Sequence, residues 1–168
     1  MLLIAAAVWV LSRTPIMATP ATVKPGSVPN PGAKHKGMRN NNPGNIRISA
    51  NAWQGKIPVS ENTDGAFEQF QSMFYGIRAA LVNMRSHYNR GKNTVYKLVT
   101  TWAPYTDNPT DAVENYVDAV AKAAGLTRNE PFAWTERNVV NIAHAMFLFE
   151  NAGEGPTKQE VKNAYYAI

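Results

Sequence analysis

From Ser72 onward apolar positions return every three or four residues, the spacing that lines one face of a helix, whereas the chain before Ser72 lacks that rhythm. Phe74, Ile77, Leu81 and Met84 predict a helix with Ser72 as its N-cap and Gly91 as its stop. Residues 94–102 predict a shorter helix, ended by Pro104 because proline cannot continue the hydrogen-bond ladder. Asp111 and Glu114 read as a capping pair for a helix through Tyr116, Val117, Val120 and Ala124 to Gly125. Thr135 caps a helix that carries the apolar run 142–149 and ends on Glu150, and Thr157 with Glu160 forms a capping box for a last helix.

Residues 38–48, MRNNNPGNIRI, are turn chemistry instead, since consecutive Asn, Pro and Gly favour local side-chain bonding and positive φ. Short strands are predicted at 46–48, 56–59 and 66–70, with Thr63-Asp64-Gly65 as a hairpin turn. The expected fold is therefore mainly α, formally α+β: one helical domain over residues 38–168 with a small β flap. The 168 residues suit one compact domain and are too few for two comfortable ones.

The front of the chain has a different character. Residues 1–12, MLLIAAAVWVLS, are apolar, but twelve residues at 1.5 Å each fall short of a bilayer core of about 30 Å. Residues 1–18 fit a short membrane anchor with Arg13 at the interface, or a signal-sequence core, and the poor cleavage site at Ile16-Met17-Ala18 favours the anchor. Residues 19–37, with four Pro, three Gly and three Lys, predict a semi-extended basic tether that does not pack.

Composition narrows the partners. Hydrophobic residues make up 45% and charged residues 17%, the balance of a chain that folds. Seventeen Lys and Arg against twelve Asp and Glu give a net charge of +5, which favours an anionic partner such as a wall polymer or acidic lipid. The cations are spread along the chain instead of clustered on one helix, which argues against a nucleic-acid partner. Without cysteine, and with three scattered His, neither a disulfide framework nor a metal centre is expected, and no cofactor motif stands out.

Glu150 is the one acid delivered by the most apolar helix. Three, four and seven residues before it stand Phe147, Met146 and Ala143, so its side chain lies along the apolar face. Burial there, together with the negative end of the helix dipole, pushes a carboxyl group toward its protonated form. A carboxylic acid kept protonated near neutrality is what general-acid cleavage of a glycosidic bond requires. The competing reading has Glu150 turned out to solvent past the helix end, as charged residues usually are.

Several segments carry a resemblance. NNNPGNIR, the Trp53-Gln54-Gly55 tripeptide, the Thr63-Asp64 pair and FEQFQSMFYGIRAAL resemble the core of the flagellar-type peptidoglycan glucosaminidases of the lysozyme-like superfamily. PYTDNPTDAVENYVDAV is similar to that family's Tyr-x-Thr-Asp-Pro segment and the helix after it. The family's catalytic helix normally precedes the Asn-Asn turn; here the matching pattern, NIAHAMFLFENAG, stands at the end, and no Asp or Glu occurs between residues 1 and 60. The resemblance, over about residues 39–153, thus implies a circularly permuted lysozyme-like domain, a rearrangement compact domains tolerate. NNNPGNIR and the trailing Glu-Asn also resemble small phage proteins described as virion-associated or lytic.

The resemblance implies Glu150 as general acid and Asp64 as a second carboxylate steadying the transition state, although an Asp-Gly turn explains Asp64 equally well. It implies Tyr105 as a cleft tyrosine. Asn42, Asn45, Arg47, Trp53, Gln69 and Asn151 complete the candidate substrate-binding set, with Trp102 as a further stacking aromatic; for the asparagines and tryptophans, structural roles stand beside the binding ones. His144, His87 and Tyr88 read as structural. The expected activity is cleavage of the peptidoglycan glycan strand, by hydrolysis or by transglycosylation with Glu150 as acid and then base. The expected setting is a monomeric catalytic domain tethered to a viral or bacterial inner membrane. A non-catalytic wall-binding or structural virion protein on the same fold is the alternative.

Overall fold

Residues 28–168 are described by the structure, a computed structural model; the anchor or signal reading of residues 1–18 lies outside them. Six helices form among the described residues: α1 (Lys36–Arg39), α2 (Met73–Asn89), α3 (Val95–Trp102), α4 (Thr110–Ala124), α5 (Glu136–Glu150) and α6 (Lys158–Tyr165). None of them is long and apolar enough to cross a membrane.

The caps explain most of the boundaries. The Thr94, Thr135 and Thr157 hydroxyls accept from the backbone N–H groups of Lys97, Asn138 and Glu160, satisfying donors that a helix start leaves free. Thr157 and Glu160 complete the expected reciprocal box. Ser72 precedes α2 as expected but makes no side-chain cap bond. The reading of Asp111 and Glu114 as a capping pair is corrected: α4 begins at Thr110 after Pro109, Asp111 lies in its first turn, and Glu114 turns sideways to Arg128 at 2.5 Å. Proline in place of a side-chain acceptor moved the start.

α5 runs through the middle of the molecule, packed against α4 and α6, while α2 packs against α6 and α3. Its Ile142, Ala143, Met146 and Phe147 are buried, as are Val117 and Val120 of α4, Leu81 of α2 and Leu98 of α3. Each large side chain buried in this way stabilises the fold by about 1.5–3 kcal/mol. Burial of Val139, Val140, Ile142, Ala143, Ala145, Met146 and Phe147 accounts for most of the apolar run, while Phe149, 43% exposed, turns outward.

Residues 36–71 are organised differently. The three expected strands do not form; among the described residues only isolated bridges pair Arg47 with Phe67 and Lys56 with Phe70, and a 3-10 turn occupies Val59–Glu61. A few backbone bonds join these segments, Glu68 N–H to the Ile46 carbonyl at 2.8 Å and Ile57 N–H to the Gln69 carbonyl at 2.8 Å, and amide side chains supplement them. Asn42 donates to the carbonyls of Ile46 and Glu68, both at 2.9 Å, and accepts from Ile46 N–H at 3.0 Å. Side chains that bond the backbone compete with strand pairing, which is why an alternating pattern here misleads. The packed body also reaches into the segment expected to hang free: Asn30 N–H donates to the Arg39 carbonyl, and α1 buries Gly37.

The two halves dock through close backbone approach. A Cβ on Gly76 of α2 would lie 1.7 Å from the Asn41 carbonyl oxygen, and one on Gly44 would lie 2.8 Å from the Trp102 ring. Trp102 Nε1 donates to the Gly44 carbonyl at 2.9 Å, pinning the end of α3 to the asparagine turn.

Candidate active site

α5 stops at Glu150 because Ala152 and Gly153 turn left-handed, at φ of 50° and 91°, and Gly153 N–H closes back on the Leu148 carbonyl. The Glu150 carboxyl does not swing out to bulk solvent. Burial raises its pKa above the usual carboxylate value, and hydrogen bonds from Asn45 and Tyr116 oppose that rise only in part. Asn45 Nδ2 donates to Glu150 Oε2 at 2.9 Å. Asn45 sits at φ 49°, a left-handed conformation that asparagine tolerates better than most residues.

Tyr116 of α4 lies against the same carboxyl. Burial first, and the adjoining carboxylate second, hold its phenol protonated well beyond the usual tyrosine range. Its hydroxyl also approaches the Met146 carbonyl at 3.5 Å, and its ring stacks on Phe149 with centroids 4.1 Å apart.

A cleft of about 410 Å³ opens beside Glu150, within the roughly 300–1,000 Å³ range of small-ligand sites. Asn45, Arg47 and Phe67 line it from the asparagine turn and its partner segment, Trp102 from the end of α3, and Asp107 and Asn108 from the loop before α4. Arg47 and Asp107 face each other at 3.6 Å, both substantially exposed, and the Arg47 guanidinium also stands over the Phe67 ring. Two carboxylates, one desolvated and one exposed beside a cation, therefore share one cleft.

Of the residues singled out from the sequence, the structure brings Glu150, Asn45, Arg47 and Trp102 together. The others lie elsewhere. Asp64 does not line the cleft: its Oδ2 accepts from Asn40 Nδ2 at 2.9 Å with Lys36 at 3.8 Å, and its Oδ1 accepts from Phe67 N–H at 3.1 Å. Burial acts to raise its pKa, but the Asn40 amide, the Phe67 and Ala66 N–H groups and Lys36 outweigh it and hold the group below the ordinary aspartate value. That is a turn aspartate fully used by its own fold. Gln69 is buried and spends its amide on Asn40 and Thr63, and Asn42 is likewise consumed. Asn151, fully buried, donates to the Pro43 and Phe147 carbonyls at 2.9 and 2.8 Å and so fixes the turn behind Glu150 without lining the cleft. Trp53 packs against the hydrophobic core. Tyr105 bonds Glu114 and the Tyr96 hydroxyl, and those contacts raise its pKa; the tyrosine expected in the cleft braces the outer side of α4.

Asp107 is what the sequence reading passed over. It stands in the PYTDNPTD segment, one residue from Thr106 and two from Tyr105, and nothing in those neighbours distinguishes it from an ordinary turn aspartate.

These features define a mainly helical domain with one desolvated carboxyl at the edge of a polar cleft. Comparison with known proteins then places it: the chain is 30% identical over 134 residues to Protein P5 of Pseudoalteromonas phage PM2, spanning 77% of this chain and 79% of that protein, and it belongs to the same family. No protein-family model matches the chain.

Proposed function

We propose that this protein cleaves the glycan strands of peptidoglycan, with Glu150 as general acid, and that it acts from a phage particle. The observation that carries the reading is a partly buried carboxyl, biased toward its protonated form, on the wall of a cleft of about 410 Å³. The net charge of +5 suits an anionic wall polymer, and a relative from a phage supports the viral setting. The likeness to lysozyme-like glucosaminidases rests on the short motifs quoted above.

In this reading Glu150 gives its proton to the glycosidic oxygen as the bond to the anomeric carbon breaks. Positive charge then develops on the ring, and Asp107 replaces Asp64 as the second acid, placed to steady that charge or to hold the attacking water. Arg47 pairs with Asp107 and offers a donor for a carboxylate on the lactyl or peptide branch. Trp102 gives the sugar an aromatic wall. Attack by water yields a reducing end, and attack by the sugar's own 6-hydroxyl yields an anhydro end. Residues 1–18 would tether the enzyme to a membrane.

A competing reading, a wall-binding virion protein without chemistry, draws on the pairing of Asp107 with Arg47, which leaves Glu150, among the described residues, as the one cleft acid without a cationic partner. Incubating the full chain with purified peptidoglycan and identifying the released fragments by mass spectrometry separates the two. A general acid contributes about 10²–10⁴ in rate, so Glu150→Gln should abolish release while the protein stays folded. Binding without release by the wild type would establish the competing reading. For the tether, the full chain should float with lipid vesicles, and a version lacking residues 1–18 should not.

A further inference from the structure

Two buried amide oxygens beside the candidate acid have no hydrogen-bond donor: Asn45 Oδ1 and Asn151 Oδ1. They converge. Measured from the position a Cβ would take on Gly37, which is one of its Hα directions, Asn151 Oδ1 lies at 2.5 Å and Asn45 Oδ1 at 2.8 Å, with the Asn42 carbonyl oxygen at 2.9 Å. The Asn42 carbonyl already accepts from Asn45 N–H at 3.0 Å, but the two amide oxygens crowd one point with only weak Cα–H donors from Gly37 to meet them. Buried acceptors are rarely left in this state, and each such case calls for a reason.

The other end of the same amide supplies one. Asn45 Nδ2 donates to Glu150 Oε2 at 2.9 Å, a bond that is stronger when that oxygen belongs to a carboxylate than to a carboxylic acid. Turning the Asn45 amide over by about 180° exchanges its oxygen and nitrogen positions. The Asn45 oxygen then faces Glu150, which must carry a proton to bond it, and the Asn45 NH₂ enters the crowd of acceptors at Gly37, with Asn151 Oδ1 among them. Asn151 cannot turn to meet it, since its own NH₂ is committed to the Pro43 and Phe147 carbonyls.

We infer that the Asn45 side-chain amide turns over in step with the Glu150 proton, donating to the carboxylate and accepting from the carboxylic acid, so that Asn151 and Gly37 bias the site toward the protonated acid. The mechanistic use of this device rests on Glu150 being the reacting acid. An arriving glycosidic oxygen competes with Asn45 Oδ1 for the Glu150 hydrogen. When that proton passes to the leaving oxygen, the amide turns back and its NH₂ steadies the new carboxylate. Asn45 is then a positioning residue, holding either form of Glu150 without exchanging a proton itself. The other groups facing the carboxyl do not duplicate this role: Tyr116 of α4 stays protonated, and Arg47 and Asp107 across the cleft are engaged with each other.

Solution NMR on the full wild-type chain tests this without substrate. The Glu150 side-chain ¹³C carboxyl shift reports its protonation, and a cross-relaxation contact between the Asn45 NH₂ and Gly37 Hα reports the turned amide. That contact should be strong at low pH and lost at high pH, with the same midpoint as the Glu150 carboxyl shift. Its absence at every pH, or a midpoint unconnected with Glu150, would overturn the inference. Fragment release by an enzyme whose amide does not turn would sink this inference alone; a turning amide with no fragment release would sink the enzymatic reading alone.

Discussion

The helices α2–α6 and the segment 36–71 meet at the cleft, and they are held by opposite means. In the helical part, Ile142, Leu81 and Leu98 are shut away from water and the backbone satisfies itself. In segment 36–71 the buried residues include Asn40, Asn42, Glu68 and Gln69, and side-chain amides bonding backbone and one another supplement scattered backbone bonds in holding the chain. Apolar burial is non-directional and tolerates small shifts, whereas a hydrogen-bonded turn fixes each atom's partner. A site at this seam draws desolvation from one side and directed polar groups from the other, and Glu150 receives both.

The contrast can be pressed with substitutions, beginning with the most damaging. Ile142→Ala opens a cavity in the centre of α5 and should lower unfolding free energy by about 2–5 kcal/mol in a denaturant melt. A smaller loss would mean that α5 is less central than its burial implies. Gly76→Ala should cost roughly 1–3 kcal/mol or more, because the added methyl meets the rigid Asn41 carbonyl at 1.7 Å and must push the two parts of the molecule apart. Its distinguishing mark is a perturbed Asn45 amide resonance, which Ile142→Ala leaves in place.

Asp64→Asn should cost about 1–2 kcal/mol at neutral pH through its weakened bonds to Asn40, Lys36 and Phe67. The wild-type pKa is lowered, so the carboxylate's share of stability is present above the ordinary value of 3.8 and is lost as pH falls through the lowered one. The gap between wild type and variant should therefore close in acid, and fragment release per folded molecule should persist. Loss of release at full stability would return Asp64 to the site.

Glu150→Gln should have the opposite sign and a smaller size. The raised pKa of Glu150 means that stability is greatest where the group is protonated and declines as pH rises from 4.5 through the raised value. Glutamine keeps the shape, carries no charge and can donate to Asn45 Oδ1. Its melting temperature should exceed that of wild type above that pH window, by about 1 kcal/mol or roughly 2–4 °C, and the difference should vanish in acid. A variant no more stable than wild type at pH 8 would show that the carboxyl is hydrated.

Most of the helices were legible because their signals are local. Thr135 and Thr157 stand at the caps they predict, Thr94 caps the helix expected to start on it, and Gly125 ends α4 at φ 68°. The strands shrank to isolated bridges: Glu68 N–H still donates to the Ile46 carbonyl and Ile57 N–H to the Gln69 carbonyl, but Asn42 takes the Glu68 carbonyl, and nothing in the alternation reveals that competition. Among the candidate residues, the burial of Glu150 followed from the apolar face it shares. The choice between Asp64 and Asp107 did not follow, because each is an aspartate in a turn and only their neighbours differ.

The sequence alone determined the five longer helices, where most of them begin, and that the most apolar helix ends on a carboxyl; the short α1 was not among its predictions. These depend on residues a few positions apart, whose side chains meet whatever the rest of the chain does. The tertiary structure alone decided what stands across from that carboxyl. Asn45 reaches Glu150 from 105 residues away, and Arg47 meets Asp107 only because Gly76 and Gly44 let two differently built halves close on each other. Such contacts are set by how surfaces dock, which short-range patterning does not encode.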